Sequence, residues 1–457
     1  MKEMGDKGDS IFFIQKTGNE KLDQILRGGI PFGHIVLLAG NSGVGKTTFV
    51  MEWLFKGYTK YNEPGVYLTL TEPVGKVIKN VQTMSFYEPG LIGPEKLQFS
   101  DLRFMMRKMN LEGKELDRNS VEKIFIAIES LVKEAGAKRL VIDSVTALCY
   151  MLQDRDLIRY FIFKLGTMLA HFQCTTILIS EVVDNGVSVF GVEEFISDAI
   201  IKLSRSFIKD ELRRTLEIVK VRGIEFTQDI HTYKIESSGI NLFIKPKLPL
   251  VYPSSDEKVS TGIPGLDKMC HGGVFRGSTT LVAGSSGTGK TLMCIEFILE
   301  GVKNGESCLF VGFEESREQL IRNARSFGWD LEGYEKKGLL KFLCNYPERA
   351  YPDEHVDLIR KDIEERKIQR CVIDSMSSVG EVFSDEDFRE FTKSLIGLLK
   401  MNNVSTIMTA ATTNFIGTTT ITESHLSTFT DNIIPVSYTH LRAHETRHDL
   451  VCRLLLE

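Results

Sequence analysis

The chain has 457 residues, of which 42% are hydrophobic and 26% are charged. This is ordinary globular composition, and the length allows two or three domains whose cores need neither disulfides nor metals. The 61 acidic residues outnumber the 56 basic ones, which argues against a protein that mainly coats nucleic acid. The eight cysteines form no C-x-x-C pair, and no apolar run reaches the roughly 18 residues that a membrane helix needs. We therefore expect a cytoplasmic protein that does not span a membrane.

The sequence repeats itself. Residues 17–33, TGNEKLDQILRGGIPFG, correspond to residues 261–277, TGIPGLDKMCHGGVFRG, at a constant offset of 244. The similarity continues through three further pairs of segments, 34–48 with 278–292, 66–80 with 309–323, and 138–148 with 369–379. We predict a tandem duplication of one domain.

Each half alternates short apolar strands with helices. The strands predicted in the first half are IVLLA, VYLTL, LVID and TTILIS, and the second half has TTLVA, LFVGF, CVID and STIMTA in the same order. This alternation predicts an α/β fold, a mainly parallel sheet with helices on both faces, with binding sites at the carboxyl ends of the strands. The predicted domains are residues 1–250 and 251–435, linked near 246–258, where Pro and Ser cluster.

A phosphate-binding loop follows the first strand of each half. GNSGVGKT at 40–47 and GSSGTGKT at 284–291 both fit G-x-x-x-x-G-K-[ST]. The glycines let backbone N–H groups converge on an anion at a helix N-terminus, the lysine reaches the β/γ-phosphates, and the following Thr holds Mg²⁺. The alternative is a Gly-rich turn, but two copies at one register argue against it. The predicted cofactors are ATP and Mg²⁺, and the predicted contacts are Gly43, Val44, Gly45, Lys46, Thr47, Thr48, Gly287, Thr288, Gly289, Lys290, Thr291 and Leu292.

Two aspartates and a glutamate pair complete the predicted sites. Asp143 and Asp374 end apolar strands, where a P-loop fold carries a second magnesium-orienting group; the alternative is a helix cap. Glu314 and Glu315 follow LFVGF and are candidate proton acceptors, or else first-turn acids that complement the helix dipole. In the first half Thr71 and Glu72 replace this pair. If Glu314 is the base, the first half binds ATP but turns it over slowly, with Glu72 as its remaining candidate.

Longer stretches around these motifs resemble the KaiC family, double-domain RecA-like P-loop ATPases that include a circadian-clock autokinase. They are FEESREQLIRNARSFGWDL at 313–331, YPERA at 346–350, GVEEFISDAII at 191–201 and RRTLEIVKVRG at 213–223. The resemblance implies ATP between the subunits of a hexameric ring, with Lys220 and Arg222 reaching the neighbour's nucleotide. The alternative is a surface strand with alternating charges. The resemblance also allows for partners of the KaiA or KaiB kind.

The segment ITESHLSTFTDNII at 421–434 resembles the part of the family's second domain that is phosphorylated. The implied acceptors are Ser427 and Thr428, with Thr422 as a transient site. The first half has Glu194 and Phe195 at the aligned positions, so only the second half could be modified there. The alternative is a solvated Ser/Thr-rich loop.

The last segment, residues 436–457, departs from the repeat. VSYTHLRAHETRHDLVCRLLLE back-translates into a sequencing-library adapter, which predicts an artificial origin. The alternative is an amphipathic helix. We assign no metal role to His440, His444 and His448, although they stand four residues apart.

The sequence therefore predicts an ATPase with serine/threonine autokinase activity in its second half, acting as a ring-forming signalling or timing regulator. One alternative is a non-catalytic, nucleotide-dependent scaffold. Another is a recombinase-like, DNA-dependent ATPase, which the acidic balance disfavours.

Overall fold

The computed structural model describes residues 13–111, 115–152, 154–182, 186–208, 211–245, 252–411 and 426–437. Internal contacts divide the chain into two compact units, Met1–Ile244 and Lys245–Glu457. Among the described helices, none is long and apolar enough to cross a membrane. Val436, where the predicted artificial segment starts, ends the last described strand. Because residues 438–457 lie outside the described part of the chain, the artificial origin stays a prediction.

The first unit begins with two short antiparallel strands separated by a helix and then alternates strands and helices. Its strands are β1 (Ile14–Gln15), β2 (Ile30–Pro31), β3 (Ile35–Gly40), β4 (Gly65–Thr69), β5 (Leu97–Asp101), β6 (Arg139–Asp143), β7 (Thr175–Ser180), β8 (Ala199–Ile208), β9 (Glu211–Val221), β10 (Ile230–Glu236) and β11 (Gly239–Phe243). Its helices are α1 (Glu20–Ile25), α2 (Lys46–Tyr61), α3 (Val74–Val81), α4 (Leu102–Lys108), α5 (Arg118–Glu134), α6 (Val145–Leu152), α7 (Arg155–His171) and α8 (Glu193–Ile196).

Within the described residues, β3 to β11 of this unit form one sheet in the order β11-β10-β9-β8-β3-β7-β6-β4-β5. The strands from β8 to β5 in this order pair in parallel, whereas β9, β10 and β11 extend the sheet in antiparallel pairs. All six residues of β3 are buried, as expected for a strand covered on both faces. The predicted parallel sheet is confirmed, and the antiparallel extension is an addition that the strand pattern did not predict.

The second unit repeats the parallel part of this arrangement. Its strands are β12 (Lys258–Val259), β13 (Val274–Phe275), β14 (Thr279–Gly284), β15 (Cys308–Gly312), β16 (Leu340–Cys344), β17 (Arg370–Asp374), β18 (Ser405–Ala411) and β19 (Asn432–Val436). Its helices are α9 (Pro264–Met269), α10 (Lys290–Lys303), α11 (Arg317–Arg325), α12 (Leu331–Lys336), α13 (Pro352–Arg366), α14 (Met376–Val382) and α15 (Asp385–Met401).

Over the described residues, β14 to β19 form a sheet in the order β16-β15-β17-β18-β14-β19, and every pair is parallel. One apolar core lies on each face of the sheet, one packed against α10 and the other against α13, α14 and α15. The carboxyl ends of β14, β15, β17 and β18 therefore meet at one edge, the edge at which the sequence predicts the site.

A buried arginine starts the strand that ends in the predicted magnesium ligand, β6 in the first unit and β17 in the second. The side chain of Arg139 is fully buried, and its Nε donates to Glu63 at 2.6 Å. Arg370 forms the same pair with Glu306. Because a buried charge is tolerated only when it is paired, this repeated ion pair is a structural element of the fold.

Candidate functional site

Each phosphate-binding loop contains two glycines in the left-handed region. Gly43 and Gly45 have φ of 78° and 95°, and Gly287 and Gly289 have φ of 80° and 90°. Residues with a Cβ rarely adopt these angles. Gly45 and Gly289 directly precede α2 and α10, so the loops present backbone N–H groups at the positive end of a helix. This cradle fits a polyphosphate.

The loop lysines lie over their own loops. The Nζ atom donates to the first two carbonyl oxygens of the loop, at 2.5 and 3.0 Å for Lys46 and at 2.8 and 2.9 Å for Lys290. Burial lowers the pKa of both ammonium groups, and nearby carboxylates oppose this effect, first Glu181 for Lys46 and first Asp374 for Lys290. Glu181, which directly follows β7, was not predicted from the sequence.

The other predicted phosphate contacts share these loops or the first turn of the helix. Val44 and Thr288 are buried at equivalent positions, and the Thr288 hydroxyl donates to a loop carbonyl at 2.8 Å. The remaining side chains are half-buried in the first helical turn, namely Thr47, Thr48, Thr291 and Leu292.

In the second half, the two predicted magnesium ligands touch each other. The Thr291 hydroxyl donates to Asp374 Oδ2 at 2.7 Å, and Thr409 donates to Oδ1 of the same carboxylate. Burial raises the pKa of Asp374, while these hydrogen bonds lower it. A carboxylate beside a hydroxyl is an oxygen-donor set that suits Mg²⁺, so these residues fit the ion. Thr409 was missed because its role depends on strand pairing.

In the first half, the equivalent aspartate has a different partner. Among the described residues, Asp143 Oδ2 accepts a hydrogen bond from the Tyr67 hydroxyl at 2.5 Å, and no bond joins it to Thr47. Burial raises the pKa of Asp143, opposed by the hydrogen bond from Tyr67 and by the charge of Lys46. Burial also raises the pKa of Tyr67, so the phenol is the proton donor. No pattern in the sequence predicted a role for Tyr67.

Two serine hydroxyls hold the carboxylate of Glu314. Ser375 and Ser378 both donate to Oε1, the latter at 2.5 Å, and the two hydroxyl oxygens are 3.1 Å apart. The charge of Glu314 also acts on Lys290 and Asp374, so the predicted base lies beside the predicted phosphate and metal ligands. Neither serine was predicted.

The remaining predicted acids are less central. Glu315 accepts from the Asn323 amide at 3.1 Å, and burial raises its pKa. Glu72 pairs with Lys76 at 2.7 Å, and Thr71, which replaces Glu314 in the first half, is exposed. The second half thus has a carboxylate fixed at its site where the first half has a hydroxyl.

Lys220 and Arg222 lie away from the loop of their own half. Lys220 on β9 pairs with Ile200 on β8, and Ile200 pairs with Leu37 on β3. At the rise of a strand, Leu37 lies about 10 Å before the loop that follows β3. Its Nζ donates to the Ser197 carbonyl at 2.7 Å, and Arg222 forms an ion pair with Asp198 at 3.2 Å. Burial lowers the pKa of Lys220. The fold therefore does not bring these cations to their own nucleotide loop.

The predicted acceptors directly precede β19, the strand that pairs with β14, at the end of β14 away from the loop. A 3₁₀ turn spans Leu426–Thr428, three residues before Asp431, whose N–H donates to the carbonyl of Thr279 at the start of β14 at 2.9 Å. The loop follows the other end of β14, about 16 Å away at the rise of a strand. Thr428 is exposed, and Thr422 lies outside the described residues, as do His440, His444 and His448.

Comparisons with known proteins agree with this geometry. Residues 15–247 and 259–453 each match the KaiC ATPase family. The chain is 36% identical over 436 residues to the circadian clock oscillator protein KaiC of Parathermosynechococcus lividus, covering 95% of this chain and 80% of that protein. It is 34% identical over 451 residues to the protein of that name from Prochlorococcus marinus, covering 98% and 90%. The chain belongs to the KaiC family.

This membership confirms the predicted family and the fold class of two tandem RecA-like P-loop domains. A protein of this family is an ATP-binding ATPase. A further relative is the circadian clock oscillator protein KaiC 1 of Synechocystis, 36% identical over 435 residues and covering 94% of this chain and 83% of that protein. The second family match extends to residue 453 and so includes most of the segment predicted to be artificial.

Proposed function

We propose that this KaiC-family ATPase is also a serine/threonine autokinase. Its second half transfers the γ-phosphate of ATP to Ser427 and Thr428 of a neighbouring subunit in a hexameric ring. The observation that carries the proposal is the separation of these acceptors from their own loop by the length of β14. A transfer to these residues needs the nucleotide of another copy, and a closed ring gives every copy such a neighbour.

The residues around the second loop supply the chemistry of this proposal. Glu314, oriented by Ser375 and Ser378, takes the proton of the acceptor hydroxyl. The bond from the hydroxyl oxygen to phosphorus forms as the bond to the β–γ bridging oxygen breaks, and ADP leaves. The loop N–H groups and Lys290 hold the phosphate charge during transfer. In simple hydrolysis water takes the place of the hydroxyl.

Thr291 and Asp374 hold Mg²⁺ in this proposal, and Glu315 assists Glu314 in accepting the proton. A bound Mg²⁺ supplies charge that stabilises the leaving phosphate oxygens. The contact between the Thr291 hydroxyl and Asp374 supports this assignment, and Thr47 with Asp143 are the corresponding pair in the first half.

The first half is an assembly and regulatory nucleotide site in this proposal. Thr71 stands where the second half has Glu314, and Glu72 is engaged by Lys76. The first half therefore binds Mg·ATP and hydrolyses it slowly. Lys220 and Arg222, which lie at the end of the sheet away from their own loop, reach the nucleotide of the neighbouring subunit.

The setting of this activity is part of the same proposal. We place the ring in the cytoplasm as a signalling or timing regulator, with KaiA- or KaiB-like proteins as candidate partners. The clock role comes from the relatives, which are named circadian clock oscillator proteins. It is carried to this chain as a proposal because the family is shared.

The test is a labelling experiment on the full chain. The protein is incubated with Mg²⁺ and ATP labelled at the γ-phosphate, and the label is located by peptide mass. We expect label on the peptide that contains Ser427 and Thr428. It should be lost in Glu314→Gln and retained in the matched first-half variant Glu72→Gln. Free phosphate with no label on protein would leave a ring ATPase without kinase activity. The absence of both free phosphate and labelled protein would favour a nucleotide-dependent scaffold.

Mixing two variants tests the transfer between subunits. Glu314→Gln keeps the acceptors and lacks the base, whereas Ser427→Ala/Thr428→Ala keeps the base and lacks the acceptors. After co-assembly, label should appear on the Glu314→Gln subunits. If the mixture stays unlabelled while the unmodified protein is labelled, the transfer occurs within one subunit.

A further inference from the structure

The aspartate that ends β6 in the first unit and β17 in the second is held from opposite sides in the two halves. In the first unit, Asp143 accepts from Tyr67 on β4, at 2.5 Å. In the second unit, Asp374 accepts from Thr409 on β18. Because β6 lies between β4 and β7, and β17 lies between β15 and β18, the hydroxyl comes from one neighbouring strand in the first unit and from the other in the second.

The repeat shows that this is an exchange of residues. Tyr67 is equivalent to Phe310 in the aligned segments 66–80 and 309–323. In the first unit, Ile179 on β7 is the register partner of Asp143. In the second unit, Met408 on β18 is the register partner of Ile373, so the next residue, Thr409, stands opposite Asp374. On the two strands that flank the aspartate, each half thus has one side chain whose hydroxyl donates to the carboxylate and, on the other strand, one apolar side chain, and the two halves exchange these strands.

We infer that Tyr67 is the positioning residue for Asp143, and that it does in the first half what Thr409 does in the second. Tyr67 and Ile179 are both buried, with exposed fractions of 0% and 1%. Water is therefore excluded from this side of the carboxylate, and the phenol is the hydroxyl donor that fixes its orientation. A carboxylate that faces a cation depends on such a partner, since removing one commonly weakens metal affinity tenfold to a hundredfold, as an order of magnitude.

The inference goes beyond the proposed autokinase, because it concerns only the first half and needs no phosphate transfer. It rests on one part of the proposed function, the role of Asp143 toward Mg²⁺. The hydrogen bond joins Tyr67 and Asp143 of the same chain, so its loss is measured by nucleotide binding and not by turnover.

The experiment uses the full chain with Lys290→Ala, which silences the second loop. Binding of a fluorescent ATP analogue to the first loop is measured with Mg²⁺ and with a chelator. We expect Tyr67→Phe to weaken binding in Mg²⁺ by roughly tenfold to a hundredfold and to leave binding in the chelator unchanged. Adding Ile179→Thr copies the second-half arrangement and should restore most of the Mg²⁺-dependent affinity.

Three results would overturn the inference. They are unchanged binding of Tyr67→Phe in Mg²⁺, an equal loss with and without Mg²⁺, and a loss that Ile179→Thr does not recover. Asp143→Asn in the same background tests the role of Asp143 toward Mg²⁺ separately from the role of Tyr67. If it binds in Mg²⁺ like the parent, the metal role of Asp143 is wrong. If it loses the Mg²⁺ effect while Tyr67→Phe keeps it, only the role of Tyr67 is wrong.

The second half offers the reciprocal test. In the full chain with Lys46→Ala, Thr409→Val should weaken Mg²⁺-dependent binding at the second loop, and adding Phe310→Tyr should recover it. Thermal unfolding of each single and double variant shows whether it is folded. If the double variant in either half binds no better in Mg²⁺ than the single variant, the exchange of hydroxyl positions between the two halves is contradicted.

Discussion

The Ser378 hydroxyl donates a hydrogen bond of 2.5 Å to Glu314, a residue 64 positions earlier in the chain. Ser375 donates to the same carboxylate oxygen, and the two hydroxyls are 3.1 Å from each other. Oε1 of Glu314 is therefore held by two donors, which fixes the direction in which the second carboxylate oxygen points. A carboxylate fixed in this way is suited to accept a proton at a defined position.

The first prediction concerns Ser378. Ser378→Ala removes one of the two donors to Glu314, and a hydrogen bond to a charged group is worth about 1.5–3 kcal/mol. We expect kcat of the second half to fall about tenfold or more, with little change in KM, since the nucleotide ligands are untouched. ATP hydrolysis is measured in the full chain with Lys46→Ala.

The conservative variant provides the control for Ser378. Ser378→Thr keeps a hydroxyl at the same position and should retain most of kcat. A fall in Ser378→Thr as large as that in Ser378→Ala would point to loss of packing and would contradict the positioning role.

The second prediction converts the first half. Thr71→Glu places a carboxylate where the second half has Glu314, and Ser144 already stands at the position equivalent to Ser375. Ala147 is equivalent to Ser378, so Thr71→Glu/Ala147→Ser completes the arrangement. A positioned general base contributes about 10²- to 10⁴-fold in rate. We expect hydrolysis by the first loop to rise in the single variant and more in the double variant.

The assay for Thr71→Glu uses the full chain with Lys290→Ala. Thr71→Gln is the matched control, because it has the size of Glu and no basic carboxylate. Equal rates for Thr71→Glu and Thr71→Gln would show that the missing base does not limit the first half.

The sequence predicted the parts of these sites that depend on local spacing. The two loops, their lysines and the strand-ending Asp143 and Asp374 follow from runs of a few residues, and the strands that carry them follow from apolar runs. Tyr67, Thr409 and Ser378 could not be predicted in this way. Their partners lie 76, 35 and 64 residues away, and the contacts depend on strand order and register.

The same reasoning explains the antiparallel extension of the first sheet. Strand β9 contains RTLEIVKV, whose alternating charges predict a surface strand. This alternation does not predict which strand lies beside β9 in the sheet. Strand β9 pairs with β8 from Ile208 opposite Glu211 to Ala199 opposite Val221. The position of Lys220 in the sheet is therefore set by this register.

The third prediction concerns pH. Burial raises the pKa of Asp23 above its ordinary value, although Thr17 donates to it through both N–H and hydroxyl. The folded state therefore binds the proton more tightly than the unfolded state. The contribution of Asp23 to stability falls as the pH rises from the unfolded pKa of about 3.9 to the raised folded value, and stays constant above it.

Asp23→Asn removes this dependence while Oδ1 keeps accepting from Thr17. The free energy of unfolding, measured with urea between acidic and neutral pH, should therefore favour the unmodified protein more at acidic pH than at neutral pH. Parallel curves for the two proteins would contradict the assignment of this titration to Asp23.

The last prediction concerns the buried ion pair at the start of β6 and of β17. Arg139 is surrounded by Glu63, the ring of Trp53 at 4.7 Å and Gly57, where an added Cβ would lie 2.3 Å from the arginine Nε. Removing one partner of a buried pair costs about 3–5 kcal/mol, because the other charge is left without compensation. We expect Arg139→Met to destabilise the first unit by this amount, and Arg139→Met/Glu63→Gln to recover part of the loss.

The two tryptophans allow this loss to be assigned to a unit. The chain has two Trp residues, Trp53 in the first unit and Trp329 in the second. In a Trp329→Phe background, urea unfolding followed by fluorescence reports on the first unit alone. Arg370→Met, which breaks the equivalent pair with Glu306, should leave that transition unchanged, since its pair lies in the second unit. If Arg139→Met leaves the midpoint in place, the guanidinium contributes no net stability to the first unit, either through its pair with Glu63 or through its packing on Trp53.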